Sequence, residues 1–246
     1  DALPIFEYCG ANLPTMVGST YWHSTYDDSL HGTGVEFVLR EPLDSVEDVP
    51  HALGELEDLL ESSGAVFKPS SRAGVHVHVN VQHLNIIQLY NFIVAYLCYE
   101  EVLVDLCGPG RAGNFFCLRT KDAEWSLNAY KAVLDQKKLT ALGSDDLRYA
   151  SLNPTALLKF GSLEFRAMAT TENFDQVEQW AGLLVSLRDN SSDIPSPRLI
   201  VEGVSEMSVD HLTGRLFGEY SSLVKSVRGY EKKVMEGMRN YGQEIA

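Results

Sequence analysis

Positive charge is scarce in this chain. Its 246 residues hold 20 lysines and arginines against 34 aspartates and glutamates, a formal charge of −14. Phosphate backbones attract basic surfaces, so the deficit argues against nucleic acid as the main partner. An anionic nucleotide is still admissible, because local arginines and a metal ion can invert the field inside a cleft. Cysteine is sparse too. The four (Cys9, Cys98, Cys107 and Cys117) make no Cys-x-x-Cys pair, which argues against a zinc knuckle and fits a reduced, cytoplasmic setting. No secretory leader is read. No glycine-rich Rossmann or P-loop fingerprint occurs. The most apolar run, residues 86–106, is interrupted by Gln88, Asn91, Glu100, Glu101 and Asp105, too polar for a membrane span. There is no internal repeat and no low-complexity segment. With 45% hydrophobic residues, the chain can build one large domain or two small ones.

What is present is more specific. From Gly74 to Val81 the sequence alternates strictly: Val75, Val77, Val79 and Val81 on one parity, His76, His78 and Asn80 on the other. Successive side chains of a strand point to opposite faces. The valines can therefore fill a core while both imidazoles project into a cleft, roughly 5–7 Å apart from the strand rise. Neutral imidazoles so placed suit a divalent cation or a phosphate–metal assembly. The plainer reading is a half-exposed strand with two ordinary histidines.

Along the chain, residues 1–20 mix Pro4, Gly10, Pro14 and Gly18 with short apolar pieces and read as loop. Residues 33–39 read as a strand ended by Pro42, and Asp44 or Ser45 caps a helix running to about residue 62. After the histidine strand, residues 83–106 read as a long, mostly buried helix stopped by Gly108-Pro109-Gly110. Residues 111–122 form an arginine-bearing loop or short strand, 124–138 a helix, 149–152 and 162–168 strands, and 174–188 an amphipathic helix. A Ser/Asp/Pro-rich break follows at 190–197, then one or two helices over 209–240 carrying Arg215, Lys225, Arg228, Lys232, Lys233 and Arg239. That basic tail is either a solvated helix face or a contact for a partner or second subunit. Strands and helices without a regular βαβ cadence predict an α+β fold, its antiparallel sheet showing one functional face with helices behind.

A second element has the same alternation. In Gly161-Ser162-Leu163-Glu164-Phe165-Arg166, Leu163 and Phe165 share one face, Glu164 and Arg166 the other. The carboxylate and guanidinium are either a structural ion pair or a metal ligand beside an anion clamp. Glu36, between Val35 and Phe37, repeats the theme: a glutamate on a core strand is costly unless it faces a wet cleft or a cation. Oxygen ligands with imidazole suit Mg²⁺ or Mn²⁺, above all when nucleotide phosphates complete the shell. Arg72, Arg111, Arg119 and Arg148, in the intervening loops, are candidates to hold those phosphates.

The set resembles the carboxylate–amine ligase superfamily that includes glutamine synthetase and glutamate–cysteine ligase, and within it the amidoligase family found in phages, bacteria and fungi. Five segments carry the likeness over about residues 22–188. They are Trp22 with Asp27-Asp28-Ser29-Leu30 (aspartate at 28 where glycine is usual), Gly34-Val35-Glu36-Phe37-Val38, and Gly74-Val75-His76-Val77-His78-Val79. Then come Gly113-Asn114-Phe115-Phe116 with Arg111 and Arg119, and Arg148-Tyr149 through Leu152-Asn153 with Leu163-Glu164-Phe165-Arg166. The resemblance implies a glutamine-synthetase-like sheet with helices packed behind it, in a catalytic domain over residues 1–190. Residues 191–246 would form a linker and helical extension through which the chain assembles or forms a homo-oligomer.

It also implies an activity. ATP would phosphorylate a small-molecule or peptide carboxylate, and an amine would then displace the phosphate to give an amide or isopeptide. The implied metal ligands for Mg²⁺ or Mn²⁺ are Glu36, His76, His78 and Glu164. His78, Arg111, Arg119 and Asn114 would contact the nucleotide, and Arg166 and Arg148 would be catalytic. The location would be cytoplasmic, in a host if phage-encoded. The family's early Gly-x-Glu-x-Glu strand has only a poor counterpart in Ile5-Phe6-Glu7-Tyr8, so that strand is expected upstream of Asp1, or one metal site is degraded.

Other readings fare worse. An HxH metallohydrolase needs more histidines, and after His83 only His211 remains. A cupin needs a glutamate soon after the second histidine, and residues 79–84 contain none. The rival from another class is a non-catalytic module that keeps the ligase fold for interaction or assembly.

Overall fold

A computed structural model describes residues 2–8, 16, 18–26, 33–64, 67–68, 72–136, 139–206 and 208–246. The Asp27-Asp28-Ser29-Leu30 segment lies outside them.

Alternating sequence becomes sheet. The strands are β1 (Ala2–Tyr8), β2 (Trp22–Tyr26), β3 (Thr33–Leu39), β4 (Phe67–Lys68), β5 (Gly74–Asn80), β6 (Leu152–Asn153) and β7 (Ser162–Ala169). They lie in the order β2-β3-β1-β5-β7-β6, with β4 also on β1, and all their pairings are antiparallel. The loop reading of residues 1–20 is thus corrected for residues 2–8. β1 is the strand that joins the two halves of the sheet: Ala2, Leu3 and Pro4 pair with β5, and Ile5 to Tyr8 pair with β3. Proline lacks a backbone donor and is tolerated where one side of a strand is unpaired; Pro4 precedes the stretch that β3 flanks.

The helices are α1 (Val49–Ser63), α2 (Ile86–Leu106), α3 (Glu124–Gln136), α4 (Thr155–Phe160), α5 (Phe174–Ser192), α6 (Pro197–Glu206), α7 (Val209–Phe217), α8 (Ser221–Lys225) and α9 (Tyr230–Gly237). α2 starts from a capping box in which Asn85 accepts from the Gln88 amide and the Gln88 side chain accepts from the Asn85 amide. It is apolar on nearly all sides because it is covered on nearly all sides. β7 lies on one flank, with Phe92 and Tyr96 against Phe165, and α5, α6 and α9 pack on the others. By length and composition α2 qualifies as a membrane span, but 78% of that window is buried inside the fold. α9 approaches α2 so closely that a Cβ at Gly237 would collide with the Cys98 carbonyl.

The C-terminal helices share this core. Leu212, Leu216, Phe217, Val224, Val234 and Met238 belong to the same buried cluster as the valines of β5. Some of the tail's positive charge is used within the chain, by Lys233 on Asp105 and by Lys225 on Asp210 at 2.8 Å. Two further expectations are corrected. α5 continues to Ser192, so the break is shorter, and Pro197 opens α6, since proline's missing donor costs nothing in a first helical turn. Tyr149 ends a 3-10 turn (Asp145–Tyr149) rather than beginning a strand.

Candidate functional site

The central feature lies on the face of the sheet opposite α2. Cα pairing sets His78 across from Glu164, and Glu164 across from Asn153 of β6. Paired residues of an antiparallel sheet share a face, so three strands contribute to one polar row. One step along sit His76 and Arg166. Here β7 is irregular: Val77 pairs with Phe165 but Val75 pairs with Met168. One extra residue is accommodated opposite His76, which makes a β-bulge.

These side chains converge on a single carboxylate. Glu164 Oε1 accepts from Arg166 Nη1 at 2.6 Å and lies 3.2 Å from His76 Nδ1 and 4.0 Å from His78 Nε2. Asn153 Nδ2 donates to Oε2 at 2.5 Å. Asn153 is itself held by its Oδ1, which accepts from the Thr155 amide and hydroxyl at 3.0 and 2.7 Å. Glu164 and His76 are each only 7% exposed.

The two imidazoles are neutral at pH 7. Burial holds His76 well below the ordinary histidine value, reinforced by the charges of Arg166, His78 and Arg111. Burial likewise brings His78 down to about 4, against the opposing pull of Glu164. The shorter of His76's two Nδ1 contacts is to Glu164, with Arg166 Nη1 at 3.4 Å. A guanidinium only donates, so the Arg166 contact draws on the Nδ1 lone pair, and Nδ1 stands between that donor and the Glu164 carboxylate. His78 Nδ1 lies 3.1 Å from the Ser162 hydroxyl, and its ring meets the edge of Phe160.

Glu36 stands apart from this group. Its partner on β1 is Ile5, two residues beyond Leu3, which pairs with His76. The register puts Glu36 on the same face as His76 but with β1 between, so their strands are roughly 10 Å apart. Glu7, opposite Gly34 on β1, takes the next position of the same parity.

The remaining arginines sort by partner. Arg111, 2% exposed, donates to three backbone carbonyls: Nε to Ala167 at 2.7 Å, Nη2 to Arg166 at 2.7 Å and Nη1 to Ala73 at 3.2 Å. Successive carbonyls of a regular strand point to opposite sides. Those of Arg166 and Ala167 both reach one guanidinium because the bulge lies there. Gly74 makes room, since a Cβ there would sit 2.9 Å from the Met168 carbonyl and 3.0 Å from Arg111 Nη2. Arg119 is engaged by Asp122 at 2.7 Å and Glu101 at 3.2 Å. Arg148 is exposed, its guanidinium 4.7 Å from the Tyr149 ring centre. The Asn114 side chain caps the turn at Phe115–Cys117 by accepting from the Phe116 amide at 2.9 Å.

The sequence marked the Gly113-Asn114-Phe115-Phe116 and Leu152-Asn153 segments but gave no role to Phe115, Phe116 or Asn153. Phe115 is 60% exposed and stacks on Tyr149 at 4.9 Å, Arg72 lies 5.4 Å over Phe116, and the Phe116 carbonyl accepts from Arg166 Nε at 3.4 Å. The available signal was a pair of aromatics between glycine and arginine in a polar loop.

The donor types, two neutral imidazoles and carboxylates, fit a divalent cation. Among the described residues, however, no three His, Cys, Asp or Glu side chains are gathered as a ready metal cage. Both oxygens of Glu164 already serve donors of its own chain. A family model described as "Putative amidoligase enzyme" matches residues 34–187, more than half of the chain. No curated protein and no solved structure matches.

Proposed function

This chain belongs to the putative amidoligase enzyme family, and we propose that it joins a carboxylate to an amine at the expense of ATP on a glutamine-synthetase-like floor. In that reaction a substrate carboxylate oxygen takes the terminal phosphoryl group of ATP. The amine nitrogen then attacks the acyl carbon, phosphate leaves, and the nitrogen loses a proton. The observation that supports this reading best is the meeting of Arg166, His76 and Asn153 on Glu164, on the open face and inside the matched span.

The roles follow from the chemistry of each group. Arg166, one edge on Glu164 and its Nε on the Phe116 carbonyl, presents a planar donor fork to a phosphate or carboxylate. His76, His78, Glu36 and Glu164 are the groups that would hold Mg²⁺ or Mn²⁺. The ion's part is to neutralise charge on the phosphates. Glu164 also anchors Arg166 through the bond to Nη1. The exposed face of Phe115 offers a surface on which a nucleobase can stack, with Arg148 alongside. Arg111 serves the site through the backbone, by holding the bulge that carries Arg166.

The test is to incubate the protein with Mg²⁺, ATP and panels of carboxylates and amines, following ADP and phosphate release and thermal stability. Amine-dependent ADP release supports the ligase. A second reading, a non-catalytic interaction module on the same fold, is favoured by the engagement of both Glu164 oxygens within the chain. It predicts no nucleotide-dependent rise in stability, whereas a ligand that binds the native state must raise it.

A further inference from the structure

Directly beneath the polar face, on the core side, lies a second buried carboxylate that the reaction does not use. Glu100 of α2 is 2% exposed. One oxygen accepts from the Ser151 hydroxyl in a very short contact, and the other accepts from the Thr120 amide at 2.8 Å. Tyr96 donates to the Ser151 hydroxyl at 3.3 Å, so the donors run inward along Tyr96, Ser151 and Glu100.

The two segments tied by Glu100 are the two that hold Arg166. The Ser151 carbonyl accepts from the Arg166 amide at 2.8 Å, and the Ser151 amide donates to Leu118 at 2.8 Å. Phe116, on the same loop as Leu118 and Thr120, takes the Arg166 Nε. Two residues beyond Ser151, Asn153 reaches Glu164. We infer that Glu100 is a positioning residue: the charge on its buried carboxylate sets how firmly the 116–120 loop and Ser151 hold Arg166, and so the site's grip on an anionic ligand. This rests on the reading of Arg166 as the anion-holding group.

The electrostatic surroundings favour a group that changes state near neutrality. Burial pushes Glu100 up to about 7, against the stabilising hydrogen bonds from Ser151 and Thr120. The titratable and charged groups around it are Glu101 and Tyr96 on its own helix, Cys117 and Arg119 on the loop, Tyr130 on α3, and Tyr241 of the C-terminal turn. Arg119 is held by Asp122 and Glu101 rather than by Glu100. Protonation would convert the Thr120 bond from charge-assisted to neutral, roughly halving its strength. It would also place a hydrogen on an oxygen toward which neighbouring donors point, so the Tyr96–Ser151 chain must turn round or loosen.

The experiment uses the whole chain. The Glu100 carboxyl is followed by carbon NMR from pH 5.5 to 8.5 while amide exchange is measured at Thr120, Ser151 and Arg166 and corrected for intrinsic rates. The expected result is a Glu100 midpoint near 7, with protection at all three amides falling severalfold below it at the same midpoint. In Glu100→Gln that inflection vanishes. Tripolyphosphate titrated calorimetrically should bind the wild type about fivefold more weakly below the midpoint than above it, relative to Glu100→Gln. Arg166 protection indifferent to the Glu100 midpoint, or a Glu100 that stays in one ionisation state across the range, overturns the inference. Coupled titration without tripolyphosphate binding at any pH supports the inference and removes the anion reading of the site. Should Glu100→Gln fail to fold, the wild-type titration decides alone.

Discussion

Glu164 and Glu100 are both buried carboxylates in contact with the strands around β7, one on each side of the sheet, and their company differs. Glu164 meets a guanidinium, two imidazoles and an amide on the open face. Glu100 accepts from the Ser151 hydroxyl and from Thr120 on the core face. Burial is common to both, so burial does not mark a site. What separates them is a charged partner beside groups with unshared pairs. The first arrangement can exchange an internal partner for a ligand; the second can only hold its neighbours.

The largest effect that would break this contrast concerns Glu164. Glu164→Gln should weaken Mg²⁺·ATP binding by at least about 100-fold while leaving the circular dichroism spectrum native. Stability should fall by roughly 3 kcal/mol, the low end for a broken buried pair because Arg166 is partly hydrated. Unchanged nucleotide affinity in calorimetry would remove Glu164 from the site.

Next is the pH dependence of stability, in which the two faces oppose each other. Glu100 is raised from 4.5 to about 7, so its contribution is complete below 4.5 and is lost as pH rises to about 7. His78 is lowered from 6.5 to about 4, so its contribution is complete above 6.5 and is lost as pH falls toward 4. Each is worth roughly 3 kcal/mol at most. Urea unfolding of Glu100→Gln should therefore gain on the wild type between pH 4.5 and 7 and run parallel to it above. A His78→Gln chain should lose the acid-side decline instead. Identical slopes in all three chains would erase the distinction.

Arg111 supplies a smaller test, being a buried cation that touches carbonyls alone. Arg111→Lys keeps the charge but cannot serve three carbonyls in the same fork geometry, and should cost roughly 2–3 kcal/mol in chemical denaturation. The least effect is expected at the rim. Phe115→Ala should weaken ATP about tenfold and tripolyphosphate not at all, as loss of one base-stacking surface would.

Much of the fold was legible because the core strands carry a strict period. β3 and the start of β5 matched the expected bounds, and α2 was marked by an apolar run ending at a Gly-Pro-Gly stop. β1 was not legible, since its proline and the glycine that follows it resemble a loop and its partners lie 25 to 75 residues away in sequence. α4 has six residues between Pro154 and Gly161, too few to show a period. In the site, the same alternation put His76, His78, Glu164 and Arg166 on common faces, and their convergence followed from one pairing, β5 with β7. The fates of Arg111 and Arg119 were hidden, because a guanidinium's partner is a matter of long-range packing that residue type does not encode.

The extra residue in β7 has a consequence for how such a chain can change. Val77 faces Phe165 and Val75 faces Met168, and both matches survive if residue 167 is removed, because the strand then merely becomes regular. A deletion at this point is felt at two guanidiniums: Arg166 changes its aim, and Arg111 loses the Ala167 carbonyl that its Nε holds. Counting residues between the Glu-Phe-Arg triplet and the next core position is thus a way to sort family members by where their guanidinium points, a one-residue adjustment screw with the buried arginine as its lock.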